Sequence, residues 1–179
     1  SRGLGDVYKR QELELLAEGQ LKKKRTSTSS GVAMIYCEQG RINYKLGDYK
    51  GSKEKYTQAL EMVNKIFKTD ENLMVTWTIG QLARLNYRVG KYKIAEEQYE
   101  RVLKIKLKIF KNEEHPSIVQ TLHDIAKMWG YLGEENLALE KFSKVLNLRR
   151  KIYKSEDNLV LISTLTQIAR LLTVRGETL

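Results

Sequence analysis

The chain has 179 residues, enough to bury one domain-sized core, with 41% apolar and 30% charged side chains. It contains neither an apolar run long enough to span a membrane nor an apolar segment of the secretory type near its first residue, so neither a membrane span nor a secretory signal is expected within it. A formal net charge of +10 keeps acidic partners, nucleic acid among them, under consideration, and the lone Cys37 rules out an internal disulfide and fits a reducing, cytoplasmic setting.

In chain order, residues 1–11 read SRGLGDVYKRQ, a string that resembles translated sequencing-adaptor read-through. They are set aside from the fold; Arg2, Lys9 and Arg10 against Asp6 make them worth +2 of the charge. Residues 12–30 follow as the second helix of a preceding, partial repeat plus a joint. Leu13, Leu16 and Ala17 supply its apolar face, Lys22–Arg25 its solvated end, and Thr26–Ser30 the joint.

A period of 43 residues then governs the chain, dividing it into repeats at 31–73, 74–116 and 117–159 and the first helix of a fourth at 160–179. Gly47, Gly90, Gly133 and Gly176 mark it, and Tyr56, Tyr99 and Phe142 or Leu60, Leu103 and Leu146 keep the same register. Each repeat predicts two helices. Tyr56, Ala59, Leu60, Val63 and Phe67 form one apolar stripe at helical spacing, matched by Tyr99, Val102, Leu103 and Phe110 and by Phe142, Val145, Leu146 and Tyr153. The repeated Gly supplies the positive φ that ends the first helix, and the small residues Gly40, Ala83, Ala126 and Ala169 allow close helix approach.

Starts are marked too. Asn72, His115 and Asn158 stand at N-cap positions, Pro116 at the first helical position, and Asp70-Glu71, Glu113-Glu114 and Glu156-Asp157 at the positive end of the helix dipole. Lys68, Lys111 and Lys154 lie near the negative end of the helix before. Because one pair cannot bury its own apolar face, the expected architecture is an all-α, right-handed solenoid of stacked antiparallel helix hairpins. Both ends break mid-repeat, which predicts a longer natural protein.

Leu82-Ala83, Gly90-Lys91-Tyr92, Ala95, Tyr99 and Val102-Leu103 resemble the tetratricopeptide repeat, here longer than the usual 34-residue unit. The stretch from Lys108 to Pro116 resembles the longer repeats of kinesin light chains and their relatives. The third repeat departs from the pattern, with Glu135 in the place of Tyr49 and Tyr92. The resemblance implies a scaffold or adaptor that binds proteins along a concave face lined by first helices.

On that face Arg41, Arg84, Lys127 and Arg170 form a basic column, with Lys45 and Arg88 one turn on beside Tyr44 and Tyr87. Arg forks suit carboxylates and Tyr offers rigid stacking area, which points to an acidic peptide segment. Trp77 shares its column with Met34, Gln120 and Ser163 and is the candidate aromatic anchor; Trp129 reads as packing. Against this stands the plainer reading, in which the same side chains solvate a helix face and each exposed ion pair contributes only about 0–1 kcal/mol. No metal or cofactor site is expected: His115 and His123 lack ligand partners at metal spacing, and no phosphate loop occurs. Catalysis, a small-molecule ligand and a membrane partner are accordingly not expected. Two alternatives remain: a nucleic-acid-binding solenoid, disfavoured because no stacking platform repeats, and a regulatory arm of a larger enzyme or sensor.

Overall fold

The structure, a computed structural model, describes residues 29–69, 71–154, 158–174 and 176. Expectations for residues 1–28, and for Asp70, Glu156 and Asp157 at helix starts, lie outside them. Seven helices are found among the described residues: α1 (Ser29–Lys45), α2 (Tyr49–Phe67), α3 (Leu73–Arg88), α4 (Tyr92–Phe110), α5 (Pro116–Tyr131), α6 (Glu135–Tyr153) and α7 (Leu159–Val174). None is long and apolar enough to cross a membrane. Helix α1 begins at Ser29, inside the stretch read as a joint.

First and second helices alternate, and their junctions follow from local chemistry. Gly47, Gly90 and Gly133 take φ of 80°, 79° and 84°. The next residue then donates its N–H back across the turn, Asp48 to the Asn43 carbonyl (2.9 Å), Lys91 to Asn86 (2.8 Å) and Glu134 to Trp129 (3.0 Å). No atom crowds the place of a Cβ at these glycines, so backbone conformation rather than space demands them. Asp48 adds an N-cap to α2 by accepting the Gly51 N–H at 2.9 Å. Asn72, His115 and Asn158 cap α3, α5 and α7, accepting from the N–H groups of Met74 (2.7 Å), Ser117 (3.2 Å) and Val160 (2.9 Å). Pro116 sits in the first turn of α5, where a missing N–H costs nothing.

The second helices end differently. Lys68, Lys111 and Lys154 hold φ of 48°, 50° and 50°, the left-handed region. Each donates its N–H to a carbonyl one turn back, those of Asn64, Leu107 and Arg150. The sequence placed these lysines near the helix end for charge; the structure makes them the turn itself.

The chain divides into two compact units, Ser1–Lys91 and Tyr92–Leu179. In the first, α1 and α2 pack as a hairpin and α3 lies against both. Gly40 lets α1 approach α2 so closely that an added Cβ would meet the Tyr56 ring at 2.8 Å, and Ser52 Oγ donates to the Gly40 carbonyl at 2.8 Å. Tyr56, Leu82 and Leu85 form a core there, flanked by Tyr44, Tyr49 and Leu60. In the second unit α5 packs against α4, α6 and α7. One core joins Ala126, Ala138, Phe142 and Leu171, with Trp129, Leu139 and Ile168 against it; another joins Val119, Val145 and Leu148. Trp129 is thus a packing residue, as its sequence position suggested.

Candidate protein-docking surface

In the first unit, Met34, Glu38, Arg41 and Lys45 fall at i, i+4, i+7 and i+11 on α1 and are all exposed. The matching stripe on α3 is Leu73, Trp77, Arg84 and Arg88, again exposed, with Gln81 half-buried between them. Met34 and Trp77, 58% and 40% exposed, occupy the same repeat position on helices that touch. Seven residues separate each from the Arg of its own helix, a rise of about 10 Å. The face therefore has an apolar end and a basic end.

The basic end is organised by tyrosine. The Arg84 guanidinium lies over the Tyr44 ring, 5.2 Å from its centre, and Tyr44 meets Tyr49 edge-on at 5.9 Å. Arg88 Nε donates to Tyr49 Oη at 3.2 Å. Tyr87 is half-buried rather than displayed. Arg41 is engaged on its own helix, donating from Nε and Nη2 to Glu38 Oε2 at 2.8 and 2.6 Å. Of the predicted residues in this unit, the structure brings together Tyr44, Arg84 and Arg88, and leaves Arg41 with a local acid.

In the second unit, Gln120, Asp124, Lys127 and Tyr131 share one face of α5. Lys127 is half-buried, and Asp124 brings a negative charge to the same stripe. Arg170, also half-buried, lies 4.9 Å over the Tyr131 ring, which stacks on Tyr92 at 6.4 Å. Its Nε and Nη2 are buried without a hydrogen-bond partner, Nη2 lying beside Gly130. The basic column is thus displayed at Arg41 and Arg84, and partly tucked in at Lys127 and Arg170.

Other chemistry-bearing residues have interior work. Cys37 is buried, its Sγ 3.6 Å from Thr78 Oγ1, and burial pushes the thiol pKa up, so it is protonated and shielded. His115 caps α5 and stacks on Phe110. His123 is buried against Phe142, and burial, then the charges of Arg149 and Lys127, push its pKa down to about 3. No group of His, Cys, Asp and Glu suited to a metal ion occurs among the described residues. Sequence reasoning missed Lys106 and Arg149, basic residues that point into the second unit. The available signal was a gap: the stripe position filled by Val63 in the first repeat holds Lys106 and Arg149 in the next two.

Residues 28–108 match the tetratricopeptide repeat family, and the same 43-residue period continues beyond them. That stretch carries tetratricopeptide repeats. This repeat protein is similar in fold to BtubC (BKLC) from P. vanneervenii, with a TM-score of 0.78 at 16% identity over 94% of this chain and 67% of that one. A putative kinesin light chain of Podospora anserina with nearly identical TPR-like repeats gives 0.68 at 22% identity, over 96% and 79%. The first tetratricopeptide domain of Spaghetti (RPAP3), solved with the HSP90 peptide SRMEEVD, gives 0.56 at 15% identity, over 83% and 96%. No curated protein matches the sequence. The fold is therefore the all-α, tetratricopeptide-type solenoid class.

Proposed function

We propose that this chain is a docking module whose first-helix face takes up an acidic segment of a partner protein. The observation that carries the reading is the exposed pair of stripes on α1 and α3, with Met34 and Trp77 at one end and Arg41, Lys45, Arg84 and Arg88 at the other. Solvated helices have no physical need to display a Trp, and an Arg stacked on Tyr is pre-oriented to pair with a carboxylate. A similar fold that holds SRMEEVD, a peptide with three acidic residues, supports the same class of ligand. The buried, unpaired thiol of Cys37 suits a reducing compartment such as the cytoplasm.

Each exposed charge pair contributes only about 0–1 kcal/mol, so affinity has to come from several acting together. Arg41 must also exchange Glu38 for the ligand. The expected outcome for Arg84→Glu combined with Arg88→Glu is loss of acidic-peptide binding in calorimetry with unchanged helix content. Unchanged affinity would reject the assignment. Tighter binding of RNA than of the peptide, with a steep fall on adding salt, would favour a nucleic-acid ligand instead.

A further inference from the structure

One interior position of the second helices breaks their apolar stripe: Val63, then Lys106, then Arg149, each 43 residues on. Val63 is fully buried. Lys106 Nζ donates to the Ser117 carbonyl at 3.0 Å and to Thr121 Oγ1 at 2.9 Å. Arg149 repeats this one unit later, its Nη1 donating to the Val160 carbonyl at 2.7 Å and to Thr164 Oγ1. A guanidinium has further donors that an ammonium held in this way cannot offer. Arg149 Nη1 also lies 3.2 Å from His123 Nδ1, which must act as acceptor because Arg stays protonated. Its Nη2 donates to Gln120 Oε1 at 3.0 Å.

The result is a guanidinium only 2% exposed, with every hydrogen-bond acceptor neutral. Buried charges are ordinarily held by an opposite charge, because desolvation otherwise costs several kcal/mol. Gln120, in contrast, is exposed, at the repeat position that Met34 and Trp77 hold in the first unit. Its Nε2 donates to Asp124 Oδ1 at 3.3 Å, so one amide side chain bridges the buried cation and the surface stripe.

We propose that Arg149 is an anion-binding residue set into the wall of the second unit's first-helix face, where a carboxylate of the partner's acidic segment displaces the Gln120 amide and pairs with Nη2. The inference rests on the reading of that face as a docking surface for acidic segments, and it supplies a site where the surface column is weakest, beside half-buried Lys127. A carboxylate suits the position because the two N–H groups of Nη1 are already shared among three neutral acceptors, which leaves the Nη2 side, now held by the Gln120 amide, to receive it.

The test uses the whole chain, a fluorescent deca-glutamate peptide read by anisotropy, and the pKa of His123 followed through its imidazole proton resonances. Arg149→Met should bind at least tenfold more weakly with helix content retained. Gln120→Glu, which sets the protein's own carboxylate against Nη2, should weaken binding as much. Ser163→Glu, the same charge at the same repeat position of α7, should weaken it less than threefold. Bound peptide should raise the His123 pKa in the parent protein and leave it unmoved in Gln120→Glu. If Arg149→Met fails to fold, the contrast between Gln120→Glu and Ser163→Glu decides. Parent-like affinity in Arg149→Met and Gln120→Glu, with Arg84→Glu weakened, would overturn the role of Arg149 and leave the docking face standing. Parent-like affinity in Arg84→Glu as well, or no binding by the parent, would remove the docking face and this inference with it.

Discussion

Three lysines sit where glycine would be easier. A non-glycine residue in the left-handed region costs about 1 kcal/mol, and Lys68, Lys111 and Lys154 each accept it at the end of a second helix. The positive charge near the helix C-terminus offsets part of that cost. Lys68→Gly and Lys111→Gly are each expected to raise stability in urea unfolding by about 0.5–1 kcal/mol, whereas glycine at Lys65, inside α2, should lower it by about 1 kcal/mol. A stability gain absent at both sites would show that the lysine side chains hold these turns by contacts of their own. The lysine column was legible in the sequence as charge, but not as a turn, since nothing in residue type marks Lys for positive φ.

His123 gives the same scale a pH dependence. Its folded pKa of about 3 lies below the unfolded value near 6.5, so between them the unfolded chain binds a proton that the folded chain refuses. The stability is complete above pH 6.5 and is lost as pH falls, by about 1.4 kcal/mol for each unit down to about pH 3. Urea unfolding of the parent and of His123→Gln across this window should diverge with that slope, the variant losing less. Parallel curves would contradict a neutral, buried His123. Sequence reading saw a histidine without ligand partners; burial beside a guanidinium follows from packing across α5 and α6 and has no local signature.

At the scale of the helix, close approach is paid for by absent side chains at particular places. Gly40 faces the buried Tyr56 ring, and a Cβ there would stand 2.8 Å from two ring atoms. Gly80, inside α3, has nothing within 4 Å of the same point. Alanine normally stabilises a helix interior by about 1 kcal/mol over glycine, while overpacking a core costs about 1–3 kcal/mol. Gly80→Ala should therefore raise the melting temperature and Gly40→Ala should lower it. The same sign for both would place Tyr56 in softer surroundings than its burial implies. Most of this level could be read from residues alone: the apolar stripes, the glycine turns and the Asn and His caps recur in fixed register, and the single Pro116 marks the start of α5. Asp48 could not, because its column continues as Lys91 and Glu134, and Glu134 makes no side-chain cap bond.

For the molecule as a whole, the repeat and the helix-hairpin class were written in the 43-residue period, since an apolar face that recurs in register has to be covered by a neighbour in register. The docking surface was legible only in outline. Column alignment identifies which residues share a position, but not how each one spends its charge: Arg84 lies on Tyr44, Arg41 turns to Glu38, and Arg170 folds its Nε and Nη2 into the packing beside Gly130. Those choices depend on neighbours supplied by other helices, which a single column does not contain. The most direct measurement is a backbone amide NMR map of the chain titrated with an acidic peptide that carries one Trp. The account predicts shifts concentrated at the exposed first-helix positions around Met34, Arg41, Trp77, Arg84 and Arg88. Shifts confined to the second-helix lysines Lys65, Lys68, Lys108 and Lys111, with the first helices silent, would contradict it.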